Sequence, residues 1–499
     1  MTNKYDTIII GSGLGGLLSG VILSRKGHKV LIIEKNHQIG GSLQSFRRKN
    51  CDFSTGMHYV GSLDEGQTLN KLFKYFNLFD GIKYHRLDET GFDIFNIGGK
   101  EYKFPFGFDN FKKKMNEYFP DESEAIDAYV NEIQRTIKTQ DIYLLKNQNQ
   151  KIENINKYLT LNTWDFVKSI TDNQRLQQVL TALNFVYAGE KSKSPLYIHA
   201  LVNNHFMSSS YRIVGSTTQV ADKLADQILK NGGKIVKNNA VKNLVIENDS
   251  ITAVETCDGS TFIGKNIISN VHPATTMDLI AKDSIKKSFR ARMKRKENTI
   301  SAFAVHIVMK ENTFKYRNHN YNFYKGEDVW YASNYDSNKW PEHYFMHCSV
   351  PKDGGEYTNT LGLLTHMLYE EVEQWAELPI NKRGKDYKDF KTKKAKELIE
   401  LATLQFPELK DNIIDFTAST PLTYKDYLGS PKGSMYGTMR DCNNPVGSYI
   451  SPRTKVNNLY FTGQNINLHG ILGVSLSAIL TCGEFVGTNS ILKEINDEK

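Results

Sequence analysis

Residues 7–34 constrain the fold of this chain more than any other stretch, because they indicate a buried strand, a glycine-rich turn, a helix, and a second strand that ends in an acid. The run Ile8–Ile10 is typical of a parallel-sheet strand, and residues Lys29–Ile33 predict the second strand. Between them lie three glycines with the G-x-G-x-x-G spacing: Gly11, Gly13 and Gly16. The stretch therefore predicts a βαβ unit that binds a dinucleotide.

The three glycines and the terminal acid each have a chemical role in such a unit. Gly11 permits the tight turn, Gly13 lets the backbone approach a pyrophosphate, and Gly16 lets the helix pack close to the strand. The pyrophosphate then lies at the helix N-terminus, where unpaired N–H groups favour an anion. The carboxylate of Glu34 can accept hydrogen bonds from ribose, which favours a nucleotide with a free 2′-hydroxyl over NADP. Four neighbouring residues are expected at the same site: Ser12, Leu14, Gly15 and Lys35.

A second glycine turn follows the acid and consists of Gly40, Gly41 and Ser42. It is either an ordinary turn or another place where the backbone approaches a phosphate or ribitol. The next motif, STGMHYVG, contains His58 and Tyr59 and ends at Gly61.

Composition limits the remaining possibilities. A chain of 499 residues is long enough for two or three compact units. Its five cysteines are scattered without a C-x-x-C pair, which predicts a reducing compartment and no structural metal. The net charge of +8 includes small lysine clusters, which are either solvated helix faces or a surface for an anionic membrane. No motif for nucleic acid is present, and no window is long and apolar enough to span a bilayer.

Further along the chain, the hydrophobic pattern changes three times. Residues 69–201 are predicted to be mostly helical and rich in aromatic side chains, which either pack a core or line an apolar channel. From Tyr211 to Asn270 the pattern predicts a helix, a β-meander and a returning strand. Residues 289–440 predict an antiparallel sheet with a helix from Asp386 to Leu404 packed on it.

The last informative stretch is a strand ending in Thr462 and Gly463, followed by a glycine-rich loop and an apolar helix. This loop again presents backbone donors to a ligand at a helix N-terminus, a position that stabilises negative charge on the ligand. The expected cofactor contacts here are Gly463, Gln464, Gly470, Gly473 and Val474.

Taken together, these segments resemble the family of FAD proteins that contains phytoene desaturases, carotenoid isomerases and retinol saturases (all-trans-retinol 13,14-reductases). The resemblance covers nearly the whole chain and rests on GSGLGG with Glu34, the GGS turn, STGMHYVG, the segment from Tyr211 to Asn270, and NLYFTGQNINLHGILGVSLSAIL. Classical desaturases typically carry His-Pro-Gly in the late motif, where this chain has Leu468-His469-Gly470. The chain is therefore more similar to the saturase and isomerase branch.

The resemblance implies an α/β, two-dinucleotide-binding-fold flavoprotein with a discontinuous Rossmann-like FAD domain, an α+β substrate domain and a helical lobe. FAD would be the cofactor, with the adenine held by the backbone of Val241 and with Asn270 ending a strand near the cofactor. The expected boundaries are 1–68, 211–280 and 441–499 for the FAD domain, 69–210 for a helical lobe facing the substrate or a membrane, and 281–440 for the substrate domain.

The resemblance also implies a reaction class. An apolar polyene or prenyl lipid would lie in a tunnel ending at the flavin, and one of its carbon–carbon double bonds would be saturated, desaturated or isomerised. His58, Tyr59 and His469 are the candidates for a proton donor or a charge-stabilising group, while His58 also counts among the cofactor contacts. We expect a cytoplasmic protein with peripheral contact on the inner face of the cytoplasmic membrane; the electron donor or acceptor stays open.

Two other classes of protein share this architecture. One is a flavin-free escort that binds a prenyl lipid, against which the intact phosphate loop argues. The other is an FAD-dependent amine or porphyrinogen oxidase, which the generic FAD motifs allow.

Overall fold

The computed structural model describes residues 4–147, 158–331, 335–352, 354–466 and 468–498. The helices are α1 (Leu14–Arg25), α2 (Thr68–Tyr75), α3 (Phe108–Tyr118), α4 (Ser123–Lys138), α5 (Thr163–Ile170), α6 (Gln174–Leu180), α7 (Leu196–Ser208), α8 (Thr218–Lys230), α9 (Pro273–Asp278), α10 (Lys287–Lys294), α11 (Gly384–Thr403), α12 (Pro421–Leu428), α13 (Pro445–Ser448), α14 (Gly470–Val486) and α15 (Thr488–Asp497).

The strands are β1 (Lys4–Ile10), β2 (Val30–Ile33), β3 (Ser45–Arg48), β4 (Cys51–Ser54), β5 (Val60–Gly61), β6 (Tyr84–Arg86), β7 (Asp93–Ile97), β8 (Lys100–Phe104), β9 (Ser210–Ile213), β10 (Lys234–Val236), β11 (Val241–Glu247), β12 (Ser250–Thr256), β13 (Thr261–Ser269), β14 (Ser301–Met309), β15 (Asn320–Tyr324), β16 (His343–Cys348), β17 (Thr360–Met367), β18 (Ile413–Ser419) and β19 (Leu459–Phe461).

The first sheet is built around β1, which pairs in parallel with β2 on one side and β13 on the other. Strands β10 and β19 extend the parallel part at its two ends, and β12 and β11 continue from β13 as an antiparallel meander. Successive strand residues point to opposite faces, so Ile8 and Ile9 lie in different hydrophobic cores. Both faces of this sheet are therefore covered, as expected for a parallel sheet.

The second sheet has the strand order β18-β14-β17-β16-β15-β7-β8. Its neighbouring strands are antiparallel except for β7 and β15, which run parallel. One face packs on α11 through a core that includes Phe303 and Leu398. The opposite face presents Ala304, Phe345 and Leu364 toward the first sheet, and the candidate site lies between the two sheets.

The predicted helical character of residues 69–201 is wrong for residues 84–104, which form β6, β7 and β8. A two-residue turn at Gly98 and Gly99, both with positive φ, closes the β7–β8 hairpin. Strand β7 is stabilised by parallel pairing with β15, more than 200 residues away, which a local pattern does not reveal. Within this segment, apolar periodicity predicts helices near 111–119 and 125–137, which are confirmed as α3 and α4.

Two smaller boundaries also differ from expectation. The sequence pattern predicts separate strands at Thr261–Ile263 and Asn266–Asn270, but they form the single strand β13. Its first two residues pair with β12, and the strand pairs with β1 from Ile263 onward. The apolar run predicts that the late helix starts at Leu476, but the helix begins six residues earlier, at Gly470. Among the described residues, no helix combines the length and the apolar character needed to cross a membrane.

Candidate cofactor and substrate site

One cavity of about 400 Å³ joins the glycine-rich loop of β1–α1 to an apolar chamber beside the second sheet. Nineteen of the twenty-one residues predicted as cofactor-binding or catalytic line it: Gly11, Gly13, Leu14, Gly15, Glu34, Lys35, Gly40, Gly41, Ser42, His58, Tyr59, Val241, Asn270, Gly463, Gln464, His469, Gly470, Gly473 and Val474. Of the twenty-one predicted residues, only Ser12 and Gly16 do not line the cavity. Segments distant in the sequence thus meet at one site.

The N-terminus of α1 opens into this cavity without a side-chain cap, and Gly13 is its N-cap residue. A Cβ atom on Gly15 would lie 2.5 Å from Oδ1 of Asn270 and 2.8 Å from Cα of Gly463. A Cβ atom on Gly16 would lie 2.2 Å from the carbonyl oxygen of Gly11, which agrees with the predicted close packing of helix and strand. The loop is therefore a tight cradle of backbone that only glycine fits.

Glu34 organises this cradle as well as lining it. Its Oε2 atom accepts hydrogen bonds from the backbone N–H of Ser12 (2.8 Å) and from the Ser12 hydroxyl (2.7 Å). Its Oε1 atom accepts from the backbone N–H of Asn36 at 2.8 Å. Ser12 therefore does not line the cavity itself, but it holds the Glu34 carboxylate, which does, in place by these hydrogen bonds.

The late loop forms the opposite wall. Gly463 adopts a φ of +91°, and a Cβ atom there would lie 2.5 Å from Oδ1 of Asn270. No side chain caps the N-terminus of α14, and its first residues Gly470, Gly473 and Val474 line the cavity. Two uncapped helix N-termini therefore face the same space, which favours a ligand with separate anionic groups.

The far part of the cavity is apolar. The described residues of its lining include no charged side chain beyond Glu34 and Lys35, which lie at the glycine-loop end. The chamber wall consists of Tyr143, Phe185, Val186, Leu201, Val202, Phe206, Phe345, Leu364 and Met435. Residues 69–201, the aromatic-rich segment, are expected either to pack a core or to line an apolar channel, and they do both. Tyr143 and Phe185 line the chamber, while Phe104 and Phe111 are buried in a core.

The two candidate histidines are half-buried in the cavity wall and neutral at pH 7. Burial lowers the pKa of His58 to about 4, and its ring stacks on His347 with centroids 4.0 Å apart. Burial also lowers the pKa of His469 to about 4, and its Nε2 lies 3.3 Å from the carbonyl oxygen of Val186. A neutral imidazole has one N–H donor, so His58 can offer a donor to a ligand without carrying charge. His469 donates its N–H to the Val186 carbonyl, which leaves its Nδ1 atom as an acceptor.

Tyr59 connects the cavity to the second sheet. Its ring stacks on Phe206 at 4.3 Å, and its hydroxyl donates to Oδ2 of Asp93 at 3.1 Å. Burial, together with the neighbouring Asp93, raises the pKa of Tyr59 well above its ordinary value.

Several residues of the site were missed by sequence reasoning. Asp93, Phe206 and Phe345 lie on elements that become neighbours only through the fold, although the Gly98-Gly99 turn signals a hairpin. Four polar features of the predicted substrate domain could also reach a pocket on sequence grounds, but they do not line the cavity: His366, Trp375, Arg383 and the stretch 419–424. Arg383, for example, forms an ion pair of 2.7 Å with Asp426.

A Rossmann-like sheet with this uncapped glycine loop, joined to a mixed sheet across one cavity, defines the class of proteins with a Rossmann-like dinucleotide-binding fold. Residues 9–76 match the family described as NAD(P)-binding Rossmann-like domain. Among solved structures, the chain is similar to an oxidoreductase from Methanosarcina mazei (TM-score 0.64, 15% identity, 95% of this chain and 99% of that one). It is also similar to a putrescine oxidase variant (TM-score 0.66, 13% identity, all of both chains). These likenesses confirm the predicted fold class.

Sequence relatives extend over nearly the whole chain. The chain is 26% identical to the all-trans-retinol 13,14-reductase of Danio rerio, covering 96% of this chain and 86% of the relative. It is 24% identical to the human all-trans-retinol 13,14-reductase, covering 97% and 86%. It is also 24% identical to the chloroplastic prolycopene isomerase of Daucus carota, covering 96% and 79%. The resemblance stated from the sequence motifs is thereby confirmed.

Proposed function

We propose that this protein is an FAD-dependent oxidoreductase that acts on carbon–carbon double bonds of an apolar polyene or isoprenoid lipid. The observation that carries the proposal is the single cavity that leads from the glycine loop to an aromatic, uncharged chamber. The names of the relatives, a retinol 13,14-reductase and a prolycopene isomerase, point to the same substrate class.

The residues of the site fit FAD. The cradle of Gly13, Gly15 and Gly463 leaves room for a phosphate-bearing ligand but not for side chains. Glu34 would bind the ribose, the backbone of Val241 would hold the adenine, and the N-terminus of α14 would stabilise negative charge on the flavin. When bound, the flavin would supply hydride transfer to or from a carbon of the double bond.

The protein's own residues provide orientation, exclusion of water and proton exchange. Phe206, Phe345 and Tyr59 form stacked rings on which an extended conjugated chain can lie flat. Burial holds the pKa of His58 and His469 at about 4, so both rings are neutral. His58 can polarise the reacting region as a hydrogen-bond donor, whereas His469, whose N–H donates to Val186, can act there as an acceptor. Tyr59, hydrogen bonded to the buried Asp93, is the group through which a proton can pass between the cavity and the sheet behind it.

The alternatives explain less of the site. A flavin-free escort needs the apolar chamber but has no use for the complete cradle around Asn270. An amine oxidase is suggested only by structural neighbours at 13% identity, a likeness that concerns the fold. The chamber, in the described part of the lining, also offers no carboxylate to bind a cationic amine.

The proposed location is the cytoplasm, with peripheral contact on the inner face of the cytoplasmic membrane. In support, all five cysteines are free thiols, and four of them are buried. The lysine clusters give weaker support, because Lys112 pairs with Asp127 and Lys394 pairs with Glu371. Sedimentation with anionic and with neutral liposomes tests the contact: binding that requires anionic lipid and is lost in high salt supports it, and equal sedimentation with both contradicts it.

The experiment that tests the function combines a spectrum with an extraction. The protein, purified gently and supplied with FAD, is expected to show flavin absorption bands and to yield a conjugated or prenyl lipid on extraction with organic solvent. A colourless protein that takes up no FAD would instead support the flavin-free escort. An FAD-bound protein that oxidises amines and binds no polyene would support the amine oxidase.

A further inference from the structure

Two histidines lie side by side at one end of the sheet face that forms the chamber floor. Phe345 of β16 is the cross-strand partner of Leu364 of β17, and both line the cavity. His343 and His366 each lie two residues further along the same strands, so they share that face. Both imidazoles are fully buried, each with only 1% of its surface exposed.

These imidazoles lack the hydrogen bonds that buried polar groups normally have. In the part of the chain that the structure describes, Nε2 of His343 and both ring nitrogens of His366 have no partner. Leaving one such group unsatisfied costs on the order of 1–3 kcal/mol, so three at one place call for a ligand or water that completes them.

Phe185 packs against both rings and also faces the cavity. Its ring centroid lies 4.5 Å from that of His343 and 4.6 Å from that of His366. It belongs to the short 3-10 turn Ala182–Tyr187, and it is itself part of the chamber wall. A rotation of this one side chain would therefore bring the two histidines into contact with the chamber.

We propose that His343 and His366 form an end pocket of the substrate cavity, which binds an uncharged oxygen group, a hydroxyl or a carbonyl, at the end of the apolar substrate once Phe185 turns aside. This inference rests on the proposed function and narrows its substrate class to lipids that carry a terminal oxygen.

The chemistry of the pocket favours a neutral oxygen over a charged group. Burial lowers the pKa of His366 to about 3 and that of His343 well below its ordinary value, so both rings are neutral. A neutral imidazole offers one donor and one acceptor, which a hydroxyl can satisfy together and a carbonyl can satisfy in part. A carboxylate would need a cation, and the residues in ring contact with the pair are the uncharged aromatics Phe185, Tyr324 and Tyr331.

The position of the pocket also fits an elongated substrate. On β16, His347 stacks against His58 at the cofactor end of the cavity, and His343 lies four residues away. Four residues of strand span about 13 Å. An extended chain lying along Phe345 would thus place one region near His58 and its oxygen between His343 and His366.

The test compares two ligands with the same conjugated skeleton, a polyene alcohol and its parent hydrocarbon, on the FAD-loaded protein. Quenching of tryptophan fluorescence gives Kd for each. The wild-type protein is expected to bind the alcohol about tenfold more tightly, as one or two net hydrogen bonds of about 1 kcal/mol each would give. The variants His343→Phe and His366→Leu should lose that preference, and His366→Gln should keep part of it.

His306→Phe is the matched control, because His306 is also buried in the second sheet but its ring packs on Phe46 and Phe53. It should leave the preference for the alcohol unchanged. Retention of FAD by each variant shows that it is folded. Nuclear magnetic resonance of ¹⁵N-labelled histidines adds a second measurement: in the wild-type protein, the signals of His343 and His366 should move on addition of the alcohol and stay in place with the hydrocarbon.

Equal affinity of the wild-type protein for both ligands, or a preference that survives in His343→Phe and His366→Leu, would overturn the end pocket. If the FAD-loaded protein converts polyenes but shows no preference for the alcohol, only the end-pocket proposal is wrong. If the protein binds neither ligand, both the proposed function and the end-pocket proposal are wrong.

Discussion

The hydroxyl of Tyr59, on the cavity wall, donates a hydrogen bond of 3.1 Å to Oδ2 of Asp93, a carboxyl group that is completely buried in the second sheet. The other oxygen of Asp93 accepts from Nδ2 of Asn320 at 2.7 Å, and Asn320 in turn accepts from the buried guanidinium of Arg212 at 2.8 Å. Burial raises the pKa of Asp93 to about 6, although these partners oppose the shift. A residue of the cavity wall, Tyr59, is thus hydrogen bonded to a titrating carboxyl group, Asp93, that lies behind the wall.

The raised pKa of Asp93 predicts a specific dependence of stability on pH. Between its ordinary pKa of 3.8 and its folded pKa of about 6, the folded protein keeps a proton that the unfolded chain has lost. The free energy of unfolding should therefore fall as pH rises through this window, by on the order of 3 kcal/mol from this group. Urea unfolding at pH 4, 5, 6 and 7 measures the fall, and Asp93→Asn should remove this contribution.

The contributions of all other titrating groups to the free energy of unfolding cancel when wild type and Asp93→Asn are compared at the same pH. Glu377→Gln provides the control, because its side chain is 98% exposed. The free energy of unfolding of Glu377→Gln should depend on pH in the same way as that of wild type. A difference between wild type and Asp93→Asn that stays constant from pH 4 to pH 7 would contradict the assignment.

The glycine cradle predicts a sharp loss of FAD binding in Gly15→Val. Even the Cβ atom of the new side chain would collide with Oδ1 of Asn270 and with the backbone of Gly463. We expect at least a tenfold increase in the Kd for FAD, measured by flavin fluorescence. Gly326→Val is the matched control, since no atom lies within 4 Å of a Cβ atom there. Full retention of FAD by Gly15→Val would refute the phosphate-loop assignment.

Removing the carboxylate of Glu34 should weaken FAD binding by a second route. Glu34→Ala deletes three hydrogen bonds that hold Ser12 and Asn36, as well as the proposed contact with ribose. A charge-assisted hydrogen bond contributes about 1.5–3 kcal/mol, so the Kd for FAD should rise at least tenfold. Isothermal titration measures the change, with the exposed Glu247→Ala as the control. Equal affinity in both variants would leave Glu34 without a role in binding.

His469 is predicted to act in turnover more than in cofactor binding. Its ring packs on Tyr436 with centroids 4.3 Å apart and faces the cavity beside α14. His469→Ala should keep FAD within about twofold of wild-type affinity and lose at least tenfold in kcat. Since the pKa values of His58 and His469 are about 4, neither should produce a step in the rate between pH 5.5 and 8. Unchanged kcat in His469→Ala would remove the residue from the mechanism.

Sequence reasoning succeeds where the determinants of structure are contiguous. The strand, glycine turn, helix and acid from Thr7 to Glu34 lie within one short stretch, and the structure places them as that pattern predicts. The late loop is found for the same reason, since Gly463 and α14 are close in sequence. Local backbone geometry and the spacing of glycines are sufficient in both places.

The chamber is harder to predict, because its residues become neighbours only through strand register. Asp93 reaches Asn320 by a parallel pairing between β7 and β15, across more than 200 residues of chain. His343 and His366 meet because β16 and β17 pair with Phe345 opposite Leu364. No periodicity within either strand contains that information. The residues at the glycine-loop end of the cavity could therefore be predicted, whereas those that shape its far end could not.

The most direct test of the central claim is a product analysis with the flavin-loaded protein under anaerobic conditions. The protein, with its flavin reduced, is incubated with a panel of conjugated polyenes, and the products are separated by chromatography and identified by mass and absorption. We predict that at least one polyene changes by two hydrogens or by the geometry of one double bond, and only when FAD is bound. An FAD-loaded protein that leaves every polyene unchanged while it oxidises an amine would contradict the account.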